Sequence, residues 1–103
     1  MKSQRSNQRK RDRTESPPVL LKFTHPTATT VGIAGTFNNW RPEATPMIPL
    51  GHGDWMKQLV LPPGVYEYRI LVDGEWMSDP HAVETVPNPF GGLNSILRVK
   101  AIV

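Results

Sequence analysis

One strand and the turn after it constrain the fold of this chain more than any other feature of its sequence. Every even-numbered position within residues 65–72 is aromatic or aliphatic, whereas Glu67 and Arg69 occupy odd-numbered positions. Because successive side chains of an extended strand point to opposite faces, this alternation predicts a strand with one buried and one polar face. Asp73 and Gly74 follow directly, and an Asp-Gly pair strongly favours a two-residue hairpin turn. The next three residues should therefore pair antiparallel with this strand.

Turn-forming residues divide the rest of the chain into short apolar stretches, with 11 prolines and 8 glycines among 103 residues. No segment shows helical periodicity over the length of an ordinary helix. The predicted strands cover residues 19–24, 29–36, 47–50, 55–61, 65–72, 75–77 and 94–102, and the longer loops cover 37–46 and 78–92. About seven short strands joined by turns predict an all-β protein, and their spacing favours an immunoglobulin-like β-sandwich.

Basic residues are concentrated at the N-terminus. Residues 1–15 carry six of the twelve Lys and Arg and two of the nine acidic residues, so their net charge is +4 and that of the remaining chain is −1. Residues 1–17 are polar and poor in aliphatic side chains, which predicts a disordered basic tail before a folded domain at 18–103. A nucleic-acid-binding arm is one interpretation of this tail. A solubilising leader is favoured, because nothing in 18–103 extends the basic surface, and we expect no nucleic-acid partner.

Composition excludes several classes of protein. The chain has no cysteine, which excludes disulfides, thiolate metal sites and thiol nucleophiles. It has no apolar run long enough to cross a membrane, and no apolar stretch follows the basic N-terminus as it would in a secretory signal. We therefore expect a cytoplasmic protein that does not interact with membranes.

Catalytic residues are not evident in the sequence. The three histidines stand beside Pro or Gly in predicted loops, without the spacing of metal ligands. Asp73, Asp79 and His81 are close in sequence and could form an acid–base or metal cluster. Both aspartates, however, precede a Gly or a Pro, and turn formation explains them without any chemistry. We therefore predict that the chain is not an enzyme and has no catalytic residue, metal or cofactor.

Two tryptophans lie beside turns and suggest a binding surface. Trp40 follows an Asn-Asn pair outside any strand alternation, which favours exposure, and Trp76 follows the Asp-Gly turn. Trp55 opens a predicted strand and is expected in the core. An exposed indole can stack on the C–H face of a sugar ring while nearby polar groups bond its hydroxyls. Arg69, beside the hairpin, and Asn94, at the start of the last strand, are the candidates for those polar contacts.

Three of these candidates also have a purely structural interpretation. Trp76 could point into the core, because sequence alone does not fix the register of a hairpin strand. Arg69 could pair with Glu67 or Glu75 across the hairpin, a contact worth little at a surface. Asn94 could be a turn residue at the entry of the last strand.

The chain carries four separated motifs in a recognisable order. They are GTFNNW at 35–40, PPGVYEYR at 62–69, VDGEW at 72–76 followed by DP at 79–80, and GGLNSIL at 91–97. In this order they resemble the glycogen-binding domain of the AMP-activated protein kinase β subunit, a member of carbohydrate-binding module family 48. The resemblance covers residues 18–101 and implies an immunoglobulin-like sandwich of the early-set type that binds α-1,4-linked glucan.

The resemblance also implies a carbohydrate-binding site made of Trp40, Trp76, Arg69, Asn94 and Phe90. The two tryptophans would stack on glucose rings, and Asn94 would bond glucose hydroxyls. Arg69 stands where the family usually has a sugar-contacting Lys, and Phe90 where it usually has a Leu around which the glucan wraps. Gly92 replaces a Thr of the same loop, which removes one hydroxyl contact.

We therefore expect a non-catalytic module that recognises α-1,4-linked glucan, as in glycogen or starch, by tryptophan stacking. Its partner would be glycogen or an α-glucan oligosaccharide. The alternative is a protein-interaction or regulatory module of a glucan-metabolising enzyme or kinase complex, which kept the fold and lost sugar binding. Glucan binding by the isolated chain distinguishes the two.

Overall fold

A computed structural model describes residues 16–101 of the chain. Within that range the backbone forms eight strands and a single-turn 3₁₀ helix at Pro42–Ala44. The strands are β1 Val19–Thr24, β2 Val31–Gly35, β3 Ile48–Gly51, β4 Asp54–Leu59, β5 Gly64–Val72, β6 Glu75–Met77, β7 Thr85–Pro87 and β8 Leu93–Val99. The predicted disordered tail at 1–17 lies outside the described residues except for its last two positions, and so do residues 102–103 of the predicted domain.

The strands form two antiparallel sheets that pack into a sandwich. One sheet has the strand order β1-β4-β3, and the other has the order β2-β5-β8-β7. Strand β6 pairs with the C-terminal end of β5, next to the point where β8 stops pairing with the same strand. The prediction of an all-β, immunoglobulin-like sandwich is thus confirmed, and the strand order brings β5, β6 and β8 together in one sheet.

The central strand β5 has one buried and one more accessible face, as its alternating sequence predicts. Tyr68, Ile70 and Val72 are buried, whereas Arg69 on the opposite face is only partly covered. The buried face packs against apolar residues from both sheets, namely Phe23, Val31, Ile33, Met47 and Trp55. Full burial of a large apolar side chain contributes about 1.5–3 kcal/mol, so this cluster stabilises the fold. The expectation that Trp55 belongs to the core is confirmed.

The prediction of a continuous loop over 78–92 was wrong at Thr85–Pro87. These residues form β7, whose Val86 pairs with Asn94 at the start of β8. A three-residue strand is too short for alternation to reveal it in the sequence, and the proline argued against a strand. Proline is tolerated here because β7 is an edge strand that needs no second ladder of hydrogen bonds. The consequence for function is that β7 fixes where the 88–92 loop begins.

The predicted hairpin turn after β5 is confirmed. Asp73 and Gly74 have φ values of 48° and 87°, the left-handed conformation that both central residues of a type I′ turn require. The Asp73 carboxylate also accepts hydrogen bonds of 2.8–3.2 Å from the backbone N–H and hydroxyl groups of Thr29 and Thr30. These bonds tie the hairpin that carries Trp76 to the segment that enters β2.

Asp73→Asn is expected to destabilise the fold at neutral pH. The hydrogen bonds from the Thr30 backbone and then from Thr29 hold the pKa of Asp73 below its ordinary value of 3.8. A depressed pKa in the folded state stabilises the fold above the pKa of the unfolded chain, and this stabilisation is lost as the pH falls through the folded pKa. Urea unfolding of the wild type and of Asp73→Asn should therefore give free energies of unfolding that differ at neutral pH and become equal well below pH 3.8. A difference that persists in acid would contradict the role of the carboxylate charge.

Candidate functional site

A groove of about 480 Å³ lies on the sheet that contains β5, β6 and β8. Its lining consists of Trp40, Arg69, Trp76, Asn88, Pro89, Phe90 and Asn94. All five residues of the predicted carbohydrate site are in this set, although they come from five different elements: the turn after β2, β5, β6, the 88–92 loop and β8. The volume falls in the range of about 300–1,000 Å³ that is usual for small-molecule clefts.

The register of the β5–β6 hairpin determines the position of Trp76. Trp76 pairs with Leu71, and directly opposite residues of two paired strands lie on the same face of the sheet. That face is opposite to buried Ile70 and is shared by Arg69. The indole of Trp76 is 47% exposed, so the alternative that it belongs to the core is wrong.

Trp40 is presented by a turn that follows β2. Asn38 braces this turn, because its side-chain oxygen accepts hydrogen bonds from the Gly35 and Arg41 N–H groups, and its amide donates to Ile33 and Thr45. Trp40 itself adopts a φ of 58° and is 38% exposed. The left-handed conformation costs an ordinary residue about 1–2 kcal/mol, so the rest of the turn must offset it. Strain of this kind often marks a residue that is held for binding.

Asn94 forms the floor of the groove rather than an exposed contact. It is 7% exposed, its amide donates to a carboxylate oxygen of Glu67 at 3.0 Å, and its carbonyl oxygen accepts from the Asn88 amide at 3.1 Å. These bonds fix the orientation of the side chain and leave one amide N–H of Asn94 without an assigned bond. Asn94 also belongs to β8, so the interpretation as a turn residue before the strand was wrong.

Arg69 contributes positive charge to the same groove. Within residues 16–101 it forms no ion pair with Glu67 or Glu75, and its buried Nε atom has no hydrogen-bond partner. The proposed structural pairing across the hairpin is therefore absent from the described part of the chain. Because a guanidinium has five N–H donors, the terminal N–H groups of Arg69 can donate hydrogen bonds to a ligand in the groove.

The 88–92 loop presents Phe90 at the rim of the groove. The Asn88 side-chain oxygen accepts hydrogen bonds from the Phe90 and Gly92 N–H groups at 2.8 and 3.1 Å, and its backbone N–H donates to the Gly92 carbonyl at 2.9 Å. With the loop closed on itself, Phe90 projects outward and is 92% exposed. An exposed phenyl ring on a braced loop is a third aromatic surface beside the two indoles.

Sequence reasoning missed Asn88 and Glu67 as contributors to this site. The Asn88-Pro89 pair is a recognisable turn signal, because an Asn side chain often bonds the backbone two residues on. No comparable signal exists for Glu67, whose bond to Asn94 joins residues 27 positions apart. Such a contact becomes visible only when β5 and β8 are paired.

The histidines and aspartates considered as catalytic or metal-binding candidates do not form a cluster. Among the described residues, no group of three or more His, Cys, Asp or Glu side chains is arranged to hold a metal. Asp73 bonds the threonines before β2, and Asp79 accepts from the Tyr68 hydroxyl and the His81 backbone. Both aspartates therefore have the structural roles expected of them. In residues 16–101 no helix has the length and apolar character needed to span a bilayer.

The chain is similar in sequence to known proteins. A family model described as the glycogen recognition site of AMP-activated protein kinase matches residues 17–102. The β-2 subunit of 5'-AMP-activated protein kinase from Mus musculus is 39% identical over 72 residues, which is 68% of this chain and 25% of that protein. The β-1 subunit from Sus scrofa is 38% identical over 72 residues, 68% of this chain and 54% of that sequence.

A relative of another kind is the amyloplastic phosphoglucan phosphatase DSP4 of Castanea sativa. It is 31% identical over 81 residues, which is 79% of this chain and 22% of the phosphatase. The chain thus spans about a quarter of the length of the mouse kinase subunit and of the phosphatase. The family match covers nearly all of the described residues, and the chain belongs to the family of the AMP-activated protein kinase glycogen recognition site.

Proposed function

We propose that this chain is a non-catalytic module that binds α-1,4-linked glucan of the glycogen or starch type. The observation that carries the proposal is the groove in which two indoles and a phenyl ring surround Arg69 and Asn94. Aromatic faces suit the C–H faces of glucose, and the polar residues offer N–H donors to its hydroxyls. Family membership and the names of the kinase and phosphoglucan relatives point to the same class of ligand.

The placement of the tryptophans in separate elements permits the angled arrangement that an α-linked chain requires. An α-1,4 glucan curls, so its rings require stacking surfaces that meet at an angle, whereas a flat β-1,4 chain requires coplanar ones. Trp40 comes from the turn after β2 and Trp76 from β6, so the two indoles are supported independently. A shallow, open site makes few contacts with a short oligosaccharide, so its affinity for one is expected to be low. A polymer should bind more tightly, because it offers many segments that can occupy the site in turn.

Retardation of the protein in a native gel containing glycogen tests the proposal. The net charge of +3 requires electrophoresis towards the cathode, and because glycogen is uncharged the basic tail adds no attraction to it. We expect retardation that maltoheptaose reverses and that a β-1,4 oligosaccharide of equal length leaves unchanged. Unaltered mobility in glycogen, or equal reversal by both oligosaccharides, would exclude the proposed specificity.

A second candidate function is docking to a kinase subunit or to a glucan-metabolising enzyme. Exposed apolar residues on the other sheet favour it, since Leu20, Ile48 and Leu50 are each about half exposed on β1 and β3. Pull-down from a lysate with and without maltoheptaose separates the two functions. A partner that is retained by a chain unable to bind glycogen would favour docking as the main role.

A further inference from the structure

Gly92 is a glycine that the backbone alone does not require. Its neighbour Gly91 has a φ of 88°, in the left-handed region that favours glycine, whereas Gly92 lies outside that region. An alanine at position 92 would thus meet no backbone strain. The reason for glycine has to be sought in the space around it.

The space beside the Gly92 Cα is occupied by the head group of Arg69. A Cβ atom built on Gly92 would lie 3.0 Å from Nη1 and 3.2 Å from Cζ of Arg69, and 3.2 Å from the Asn88 amide nitrogen. Carbon contacts this short force the neighbouring atoms apart, because interiors are packed close to van der Waals separation. With a side chain at position 92, the guanidinium or the Asn88 amide would have to shift by a few tenths of an ångström.

Of these two neighbours, the guanidinium is held less firmly than the Asn88 side chain. The Asn88 side chain is held by three hydrogen bonds, to Phe90, Gly92 and Asn94. Arg69 has no ion pair within residues 16–101 and no hydrogen bond at Nε, so packing against the loop is what fixes its head group. A Cβ at position 92 would therefore displace the guanidinium towards the groove.

We propose that Gly92 is a positioning residue for sugar binding, acting through Arg69. Its bare Cα lets the planar guanidinium lie against the 88–92 loop, with its outer N–H groups directed at the groove. A guanidinium fixed in this way presents parallel N–H donors to two neighbouring hydroxyl oxygens of one sugar ring, which the compact ammonium of a lysine cannot do. This inference rests on the proposed glucan-binding function and assigns Arg69 and Gly92 to one subsite.

A double-mutant cycle tests the coupling between the two residues. Dissociation constants for maltoheptaose would be measured by calorimetry for the wild type, Gly92→Ala, Arg69→Lys and the double variant. Because substitutions of residues in contact are not additive, we expect Gly92→Ala to weaken binding about fivefold in the wild-type background and less than about twofold in the Arg69→Lys background. Gly64→Ala is the matched control, because its Cβ would meet no atom closer than 3.5 Å and it lies outside the groove lining.

A second measurement examines the contact without any ligand. The Nε–Hε resonance of Arg69 in a ¹H–¹⁵N spectrum should shift in Gly92→Ala and remain in place in Gly64→Ala, with both variants melting near the wild-type temperature. The inference would be overturned if Gly92→Ala weakened binding equally in the wild-type and Arg69→Lys backgrounds. It would also be overturned if the Nε–Hε resonance did not shift. If the wild type binds no α-glucan, the proposed function fails as a whole, and the resonance alone still decides whether Gly92 positions Arg69.

Discussion

Alanine at Trp40 or at Trp76 is expected to weaken binding of maltoheptaose by about 2 kcal/mol, which is roughly 30-fold, and to abolish retardation by glycogen. Each indole is partly exposed at the groove and is supported from behind, Trp76 by the paired strand β5 and Trp40 by the turn that Asn38 braces. Rigid aromatic anchors lose little conformational freedom on binding, so they usually dominate the affinity of a shallow site.

The controls for this prediction are present in the chain. Leu50→Ala removes an exposed apolar side chain from β3 in the other sheet and should leave glycogen binding unchanged. Buried Trp55 remains in both tryptophan variants, so its fluorescence reports whether they are folded. If folded Trp40→Ala and Trp76→Ala proteins were retarded as strongly as the wild type, stacking on these indoles would be excluded as the basis of binding.

The sequence predicts the parts of this protein that depend on local patterns. The alternation of β5 placed Arg69 on the polar face of that strand, and the Asp-Gly turn placed Trp76 in a strand antiparallel to it. The side to which Trp76 points stayed open, because it depends on the register of the hairpin. The turn at 37–40 likewise predicted the exposure of Trp40. Patterns of period two and short turn motifs are local, and they remain visible without a structure.

The groove as a unit depends on contacts between distant segments, which local patterns do not contain. Asn94 was predicted as a polar sugar contact at the start of the last strand, but its burial could not be predicted, because it depends on pairing of β8 with β7 and on the bond to Glu67. The fit of Gly92 to Arg69 joins residues 23 positions apart, and the brace from Asp73 to Thr29 spans 44. Each of these contacts requires the order of strands in the sheet, and short β7, which starts the 88–92 loop, gave no signal in the sequence.

The segment that follows Trp76 is anchored in the core by a buried hydrogen bond. The Tyr68 hydroxyl donates to the Asp79 carboxylate at 2.5 Å, and Asp79 also accepts from the His81 backbone N–H. Tyr68 and Asp79 are both nearly inaccessible to solvent. Burial, and then the bond to Asp79, raise the pKa of Tyr68 far above its ordinary value of 10.0, so in the folded state the phenol keeps its proton into alkaline solution.

Tyr68→Phe is therefore expected to lower the free energy of unfolding by about 1–3 kcal/mol, because it leaves a buried carboxylate oxygen without its partner. For a domain of this size that corresponds to a fall in the melting temperature of roughly 4–8 °C per kcal/mol. Tyr66→Phe is the matched control on the same face of β5, since the Tyr66 hydroxyl donates to the Pro62 carbonyl at an exposed position. Calorimetry of the two variants should show a much larger loss for Tyr68→Phe.

The pH dependence of the free energy of unfolding in alkaline solution provides an independent check on the same bond. A pKa that is raised in the folded state stabilises the fold below the pKa of the unfolded chain, and this contribution is lost as the pH rises towards the folded value. The wild type should thus lose stability above pH 10.0, where an unfolded tyrosine ionises, and Tyr68→Phe should lose less over the same range. If the free energy of unfolding fell equally with pH in the two proteins, the buried phenol would not govern alkaline unfolding. Because Tyr68 lies outside the groove lining, maltoheptaose affinity at neutral pH should be the same in both proteins while they remain folded.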